Sequence, residues 1–294
     1  MINTIHIWGP IYIHIYGLMI AIGALSAYLT VEYRAKKKGM HYELIFALFW
    51  WCLIGGILGA KLLYLITQIK TILADPSVLL NVSEGFVVYG GIIGGILAGG
   101  LFCLRHKLNF FEYFDLVMPS IALAQGFGRI GCIFAGCCYG RETKGNFFVE
   151  YNTSDYAPLD VHIIPTQLIS SILNFINFAV LVLISKKVKA SGQVAGFYLI
   201  FYSAGRFIIE FFRGDLERGT VGALSTSQFI AVILFFLGWG IVIIRGMMAR
   251  RGVIAPSNTA EAAPVEEDID KENNTEEALQ ESEADKTEDA SKDV

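Results

Sequence analysis

Seven apolar stretches, each near the ~20 residues a helix needs to cross a hydrocarbon core, dominate this 294-residue chain and leave few folds open to it. They lie at about 14–33, 43–66, 86–104, 113–134, 168–185, 194–212 and 226–245. With 54% hydrophobic residues and a mean hydropathy of +0.53, the chain does not have the composition of an ordinary soluble domain. The expected fold class is an all-α membrane protein of about seven transmembrane helices. Pro119, Gln125 and Arg129 interrupt the fourth stretch, which is expected to be a broken or re-entrant helix. No cleavable signal peptide is evident. The first stretch follows polar and aromatic residues rather than a basic region, and it is long enough to span.

The basic residues between stretches give an orientation. Arg34, Lys36, Lys37, Lys38, Arg105, Lys107, Lys186, Lys187, Lys189, Arg245, Arg250 and Arg251 fall on one side, 12 in all. The other side holds five: Lys70, Arg141, Lys144, Arg213 and Arg218. The positive-inside rule then puts the N-terminus outside and the C-terminus in the cytoplasm. Residues 257–294 carry 14 Asp and Glu against 3 Lys, whereas the rest of the chain carries 20 Lys and Arg against 13 Asp and Glu. Almost devoid of large apolar side chains, the terminal segment cannot offset its own ordering entropy. Two parts are therefore expected, a polytopic membrane domain over 1–252 and a disordered acidic cytoplasmic tail over 253–294.

In that orientation Tyr16, Tyr89, Lys61, Arg129, Arg206 and Glu210 all fall near the outer ends of their stretches. An arginine in bilayer-type sequence is costly, and its default reading is functional, with an anionic partner. Arg206, Glu210 and Arg213 share one helix face at i, i+4 and i+7, and Tyr202 continues the stripe. Arg206 and Glu210 would neutralise each other, but Arg129 on another stretch leaves an excess of positive charge. Guanidinium groups with one carboxylate suit a phosphate, bound by bidentate charge-assisted hydrogen bonds, and at that depth the anion is a phospholipid headgroup. The run Tyr89-Gly90-Gly91-Ile92-Ile93-Gly94 and its continuation present small residues at spacings of four, the pattern of close helix packing. The loop at about 140–166 is expected to form a short hairpin or cap on the outer side.

Five cysteines do not make a disulfide framework of the small secreted type. Cys52 and Cys103 lie in apolar runs as small buried hydrophobes. Cys132, Cys137 and Cys138 lie near the outer face, where a structural disulfide, a redox couple, a thiol nucleophile and a soft metal site are all open to them. No nucleophile elbow, phosphate-binding loop or paired-histidine metal motif competes, so no metal site of that kind is expected.

Several of these segments together resemble the bacterial prolipoprotein diacylglyceryl transferases. They are Tyr16-Gly17-Leu18-Met19, Gly59-Ala60-Lys61, Tyr89-Gly90-Gly91-Ile92-Ile93-Gly94 and Gly128-Arg129-Ile130-Gly131, then Pro165-Thr166-Gln167-Leu168 and Gly196-Phe197-Tyr198-Leu199 through Arg206, Glu210 and Arg213. The resemblance covers most of residues 10–245. It implies an enzyme of the bacterial inner membrane that moves the diacylglyceryl group of phosphatidylglycerol to the thiol of a lipobox cysteine in a preprolipoprotein. Glycerol phosphate is released, without a cofactor. No nucleic-acid partner is expected. By position, the resemblance assigns catalytic roles to Arg129, Arg206, Glu210, Tyr16 and Tyr89, and substrate binding to Arg129, Arg206, Arg213, Gly90 and Gly91.

Two departures stand out. Tyr89 occupies a place where the family usually has histidine, and Cys132 and Cys137 stand where it usually has asparagine and glutamate. A tyrosine, with a reference pKa of about 10, takes a proton from a thiol poorly near neutral pH. Three rival readings follow: a paralogue with another acceptor, a membrane thiol–disulfide oxidoreductase using Cys132, Cys137 and Cys138, and a non-catalytic lipid-binding protein.

Overall fold

A computed structural model describes residues 4–8, 11–74, 85–154, 156–215 and 219–254. Arg218 and nearly all of the acidic segment, from residue 255 onward, lie outside the described residues. The chain opens with an antiparallel hairpin, β1 (Thr4–Trp8) and β2 (Ile11–His14), in which Thr4 pairs with His14 and Ile5 with Ile13. The helices that follow are α1 (Ile15–Lys37), α2 (Ile45–Thr67), the short α3 (Ile69–Ala74), α4 (Val88–Arg105), α5 (Phe110–Ala135), α6 (Thr166–Ile184) and α7 (Gln193–Glu210). A two-residue pair, β3 (Thr220–Val221) and β4 (Leu224–Ser225), leads into α8 (Thr226–Arg250).

Seven long helices thus stand where the seven apolar stretches were read. Six are long and apolar enough to cross a membrane. The other, α7, is 18 residues long but carries Gln193, Arg206 and Glu210. Leu58, Leu62, Leu97, Leu104 and Phe236 are exposed on the outside of the bundle, as lipid-facing side chains are. This is a multi-pass membrane protein.

The fourth stretch departs from the reading made of it. Far from breaking, α5 runs unbroken through Pro119 for 26 residues. Proline leaves the Asp115 carbonyl without its helix donor, but neighbouring helices hold this segment. Arg34 of α1, itself buried, donates to the Leu116 carbonyl and to Ser185 Oγ at the end of α6 (3.3 Å). The Asp115 carboxylate accepts from the backbone N–H groups of Gly192 (2.7 Å) and Ala195 (2.9 Å). It therefore satisfies orphan donors at the start of α7 and places negative charge where the helix dipole favours it. At its own ends α5 is capped by the Asn109 side chain and by Gly136, whose φ of 70° suits glycine.

Helix α5 is the hub, packing against α1, α6 and α7, while α7 packs along α8. The partner of α2 is α4, through a glycine seam. A Cβ on Gly59 would sit 2.4 Å from the Gly90 carbonyl oxygen, and one on Gly94 would sit 2.3 Å from that of Gly55. Only glycine permits that backbone approach. This pair joins the rest through one apolar cluster, in which Ile45, Leu48, Phe102 and Cys103 meet Val31, Ala35, Tyr113 and Leu116. The basic connections leave the bundle at this end. At the same end Arg245 donates to the Ser191 carbonyl (2.6 Å) and Ser191 Oγ (2.7 Å), and lies over the Phe111 ring.

At the opposite end the loop between α5 and α6 folds into the expected cap. Val149 and Glu142 bridge to Ile163, and Tyr151, Ala157 and Ile163 make its small core. The Tyr151 hydroxyl donates to the Ile133 carbonyl (2.9 Å), fastening the cap to the end of α5. Burial pushes that phenol up to about 12, with Cys137 and Cys132 adding to the effect.

Candidate functional site

The cap end of α5, α6 and α7 encloses a cleft whose walls include Arg129, Ser170, Asn174, Asn177, Tyr202 and Arg206. Each helix brings its polar residues there by periodicity. On α6, Ser170, Asn174 and Asn177 stand at i, i+4 and i+7, and on α7 Tyr202 and Arg206 are one turn apart. The two arginines thus reach one cleft from different helices.

Their environments differ. Arg206 Nη1 lies 2.6 Å from Glu210 Oε2, and its Nη2 donates to Ser227 Oγ at 2.8 Å. Glu210 Oε1 accepts from Ser225 Oγ at 3.0 Å, and the same hydroxyl oxygen accepts from the Gln228 N–H to cap α8. One network therefore fixes the Arg206 guanidinium, orients Glu210 and starts α8. Arg129 has no carboxylate paired with it among the described residues. Among the described residues, Arg129 is thus a cation that the cleft leaves to an anionic ligand.

Asn177 adds a feature that the sequence reading missed. Its side chain is buried, and among the described residues neither amide atom has a hydrogen-bond partner. An unmade bond at a buried amide costs about 1–3 kcal/mol, and in the wall of the cleft this amide is a group that a water or a ligand can complete. The neighbouring Asn174 is turned by its bond to the Ser170 carbonyl (2.8 Å). The signal was present in the sequence as polar residues recurring at helical spacing within the fifth apolar stretch.

The remaining site residues take several places. Tyr16, partly exposed, lies at the start of α1 against Gly131 of α5, within electrostatic reach of Arg129 and of Cys132, Cys137 and Cys138. Arg213 stands outside the cleft wall. Its guanidinium pairs in bidentate fashion with Asp215 (2.8 and 2.6 Å) and also reaches Cys138, while its carbonyl accepts from Arg141. Arg213 thereby ties the end of α7 to the cap, with the Gly214 N–H donating to the Tyr139 carbonyl (3.1 Å). Gly90 and Gly91 lie in the seam between α4 and α2, and Tyr89, half exposed, lies at the same end of α4. None of these three lines the arginine cleft.

Cys132, Cys137 and Cys138 converge, with all three sulfur atoms within 4.8 Å of one another. The first lies one turn beyond Arg129 on α5 and the other two follow the helix cap. Among the described residues no two cysteines are bonded.

A bundle of long apolar helices that holds two arginines at one end, under a small cap, has the build of an integral-membrane enzyme acting on an anionic lipid. Comparison with known sequences places the chain more closely. The profile described as prolipoprotein diacylglyceryl transferase matches residues 3–244, and the chain belongs to that family. It is 47% identical over 223 residues to the phosphatidylglycerol–prolipoprotein diacylglyceryl transferase of Clostridium tetani, covering 76% of this chain and 89% of the relative. Over 227 residues it is 44% identical to the second such transferase of Clostridium perfringens, covering 77% of this chain and 88% of that one. The enzyme of the same name from Staphylococcus carnosus is 30% identical over 243 residues.

Proposed function

We propose that this protein is a phosphatidylglycerol–prolipoprotein diacylglyceryl transferase of the bacterial cytoplasmic membrane. The cleft walled by Arg129 and Arg206 carries this reading. It offers two guanidiniums, one of them without a carboxylate among the described residues, to a single phosphate group. In the mechanism we infer, both arginines bind the phosphodiester of phosphatidylglycerol, and they bind more tightly as charge develops on the departing glycerol phosphate. Glu210 holds Arg206 in place rather than reacting. The thiolate of a lipobox cysteine, arriving at the cap side, attacks the glyceryl carbon that bears the phosphate ester. A thioether forms, and the C–O electron pair leaves on the phosphate oxygen. Tyr16, beside the cleft on α1, and Tyr89 position the headgroup or relay a proton. Gly90, Gly91 and Arg213 support the site from the seam and from the cap.

In this reading the cap faces outward and the basic connections face the cytoplasm. Residues 1–252 form the catalytic membrane domain. Family membership favours the transferase over a thiol–disulfide oxidoreductase. The test is complementation. A bacterium depleted of its own enzyme should regain conversion of a preprolipoprotein, seen as a gel shift, when it carries this chain, and should not regain it with Arg129→Ala. Inserted, folded protein that converts nothing would overturn the proposal.

A further inference from the structure

The cleft between α5, α6 and α7 extends further than a phosphate needs. Its lining on α6 runs from Ser170, near the cap, to Asn177, two helical turns or about 10 Å deeper into the bundle. On α7 it runs from Ile209 through Arg206 to Tyr202 and Phe201. Because α6 leaves the cap and α7 returns to it, Arg206 lies towards the cap end of the cleft, and Asn177 and Phe201 lie at its deep end. The wall between them leaves room. A Cβ built on Gly205 would meet nothing nearer than Leu173 Cδ1 at 4.0 Å, so helix packing does not call for glycine there.

The three polar residues on this face of α6 behave differently. Ser170 Oγ donates to the Thr166 carbonyl (2.6 Å) and Asn174 Nδ2 to the Ser170 carbonyl (2.8 Å), so each closes onto its own helix. Asn177, only 8% exposed, does not, and among the described residues both of its amide atoms lack a partner. Its NH2 group is a neutral donor, held in the cleft wall beyond the arginines.

A phospholipid presents its parts in a fixed order: headgroup, phosphate, glyceryl carbons with two ester carbonyls, and then hydrocarbon. With the phosphate at Arg129 and Arg206, the headgroup lies towards the cap and the esters lie towards the deep end. The esters are the last polar groups before the chains, and they carry only acceptors. A neutral donor at that end matches them, and it does not compete with the guanidiniums for the phosphate. The glyceryl carbon attacked in the transfer stands between the phosphate ester and the ester-bearing carbon. Holding the lipid on both sides of that carbon fixes it for attack.

We infer that Asn177 donates through Nδ2 to an ester carbonyl of the diacylglyceryl group, so that the cleft selects ester-linked lipid and holds the reacting carbon between this amide and the two arginines. The inference rests on the diacylglyceryl transfer proposed above. Asn177 binds the lipid and neither forms nor breaks a covalent bond. One water that donates to Asn177 Oδ1 and to the second ester carbonyl completes the acceptor half of the amide.

The test compares two lipids on the full-length protein in detergent: phosphatidylglycerol and its diether analogue with the same headgroup and chain length. Both carry the carbon and the phosphate that the transfer needs, and only the first has ester carbonyls. Thioether formation on a lipobox peptide is followed for each. Wild-type protein should prefer the ester lipid by about tenfold in kcat/KM, the effect of one buried hydrogen bond, and the difference should lie in KM. In Asn177→Leu the ester lipid should lose that advantage while the diether is used as before, so the preference falls to about one. Asn177→Ala, which removes the amide without adding bulk, should give the same loss of preference, and thermal unfolding establishes that both variants are folded. A merely structural role would lower both lipids equally and leave the preference intact. Equal use of the two lipids by wild-type protein overturns the inference. So does a folded variant that keeps the wild-type preference, which would mean that water alone meets the amide. Both of those results leave the proposed function standing, since transfer still occurs. Folded wild-type protein that transfers neither lipid overturns the proposed function and this inference with it.

Discussion

Two halves of this bundle use unusual sequence for opposite purposes. In the α2–α4 pair, glycine removes side chains so that backbones touch, as Gly59 does on Gly90 and Gly55 on Gly94. In the α5–α7 half, side chains are long and polar, and they converge on a space between helices. The first arrangement is satisfied within itself. The second is not, since among the described residues Arg129 lacks a carboxylate partner and the Asn177 amide makes no hydrogen bond. A seam that is complete reads as structure, and a cleft that is incomplete reads as a place for a ligand. The lesson separates residues that the family resemblance groups together. Gly90 and Gly91 belong by geometry to the seam, while Arg129 and Arg206 belong to the cleft.

Mutations on the two sides should therefore fail in different ways. The largest effect is expected from Arg129→Ala, which should lower the transfer rate by about 100- to 1,000-fold, as loss of one preorganised charge donor does. The thermal unfolding of the detergent-solubilised protein should stay near wild type. Arg129→Lys should recover little of the rate, because a point charge does not replace a bidentate fork. On the other side, Gly94→Ala meets backbone only 2.3 Å away, so it should destabilise the protein by about 1–3 kcal/mol. Whatever protein remains folded should keep most of its activity. Equal loss of activity and stability in both variants would erase the distinction.

Asp115→Ala sharpens the comparison from a third position. It strips the Gly192 and Ala195 N–H groups of their acceptor, which should cost about 1–3 kcal/mol of stability and be visible in the same unfolding assay. Because α7 carries Arg206, the affinity for lipid should fall with it. The smallest effect on stability is expected from Asn177→Leu. Replacing an unsatisfied buried amide with an apolar side chain of similar size should be neutral or stabilising. Activity should nonetheless fall, through a higher KM for phosphatidylglycerol, if the amide binds the lipid. Unchanged kinetics with raised stability would remove Asn177 from the site.

Much of this was legible from residue pattern alone. Apolar runs located every long helix, because lipid exposure demands length and composition that few other folds share. Arg129, Arg206 and Glu210 stood out because charge in such runs is costly. Other features were hidden for identifiable reasons. Pro119 read as a break, since sequence does not show that Arg34 and the Asp115 contacts with α7 brace α5 around it. Arg34 and Arg245 counted only as orientation signals, although both also cross-link helices at the basic end. Residues 4–14 alternate like strands around Gly9-Pro10, a pattern too short to stand out beside the long apolar span that follows it. Asn177 is weakly polar beside an arginine, and its significance comes only from its lack of a partner among the described residues.

The most direct measurement is product stoichiometry in purified protein reconstituted into phosphatidylglycerol bilayers with a lipobox peptide. One glycerol phosphate should be released for each thioether formed, with both products lost together in folded Arg129→Ala. Release of glycerol phosphate without thioether, or transfer undiminished by Arg129→Ala, would contradict it.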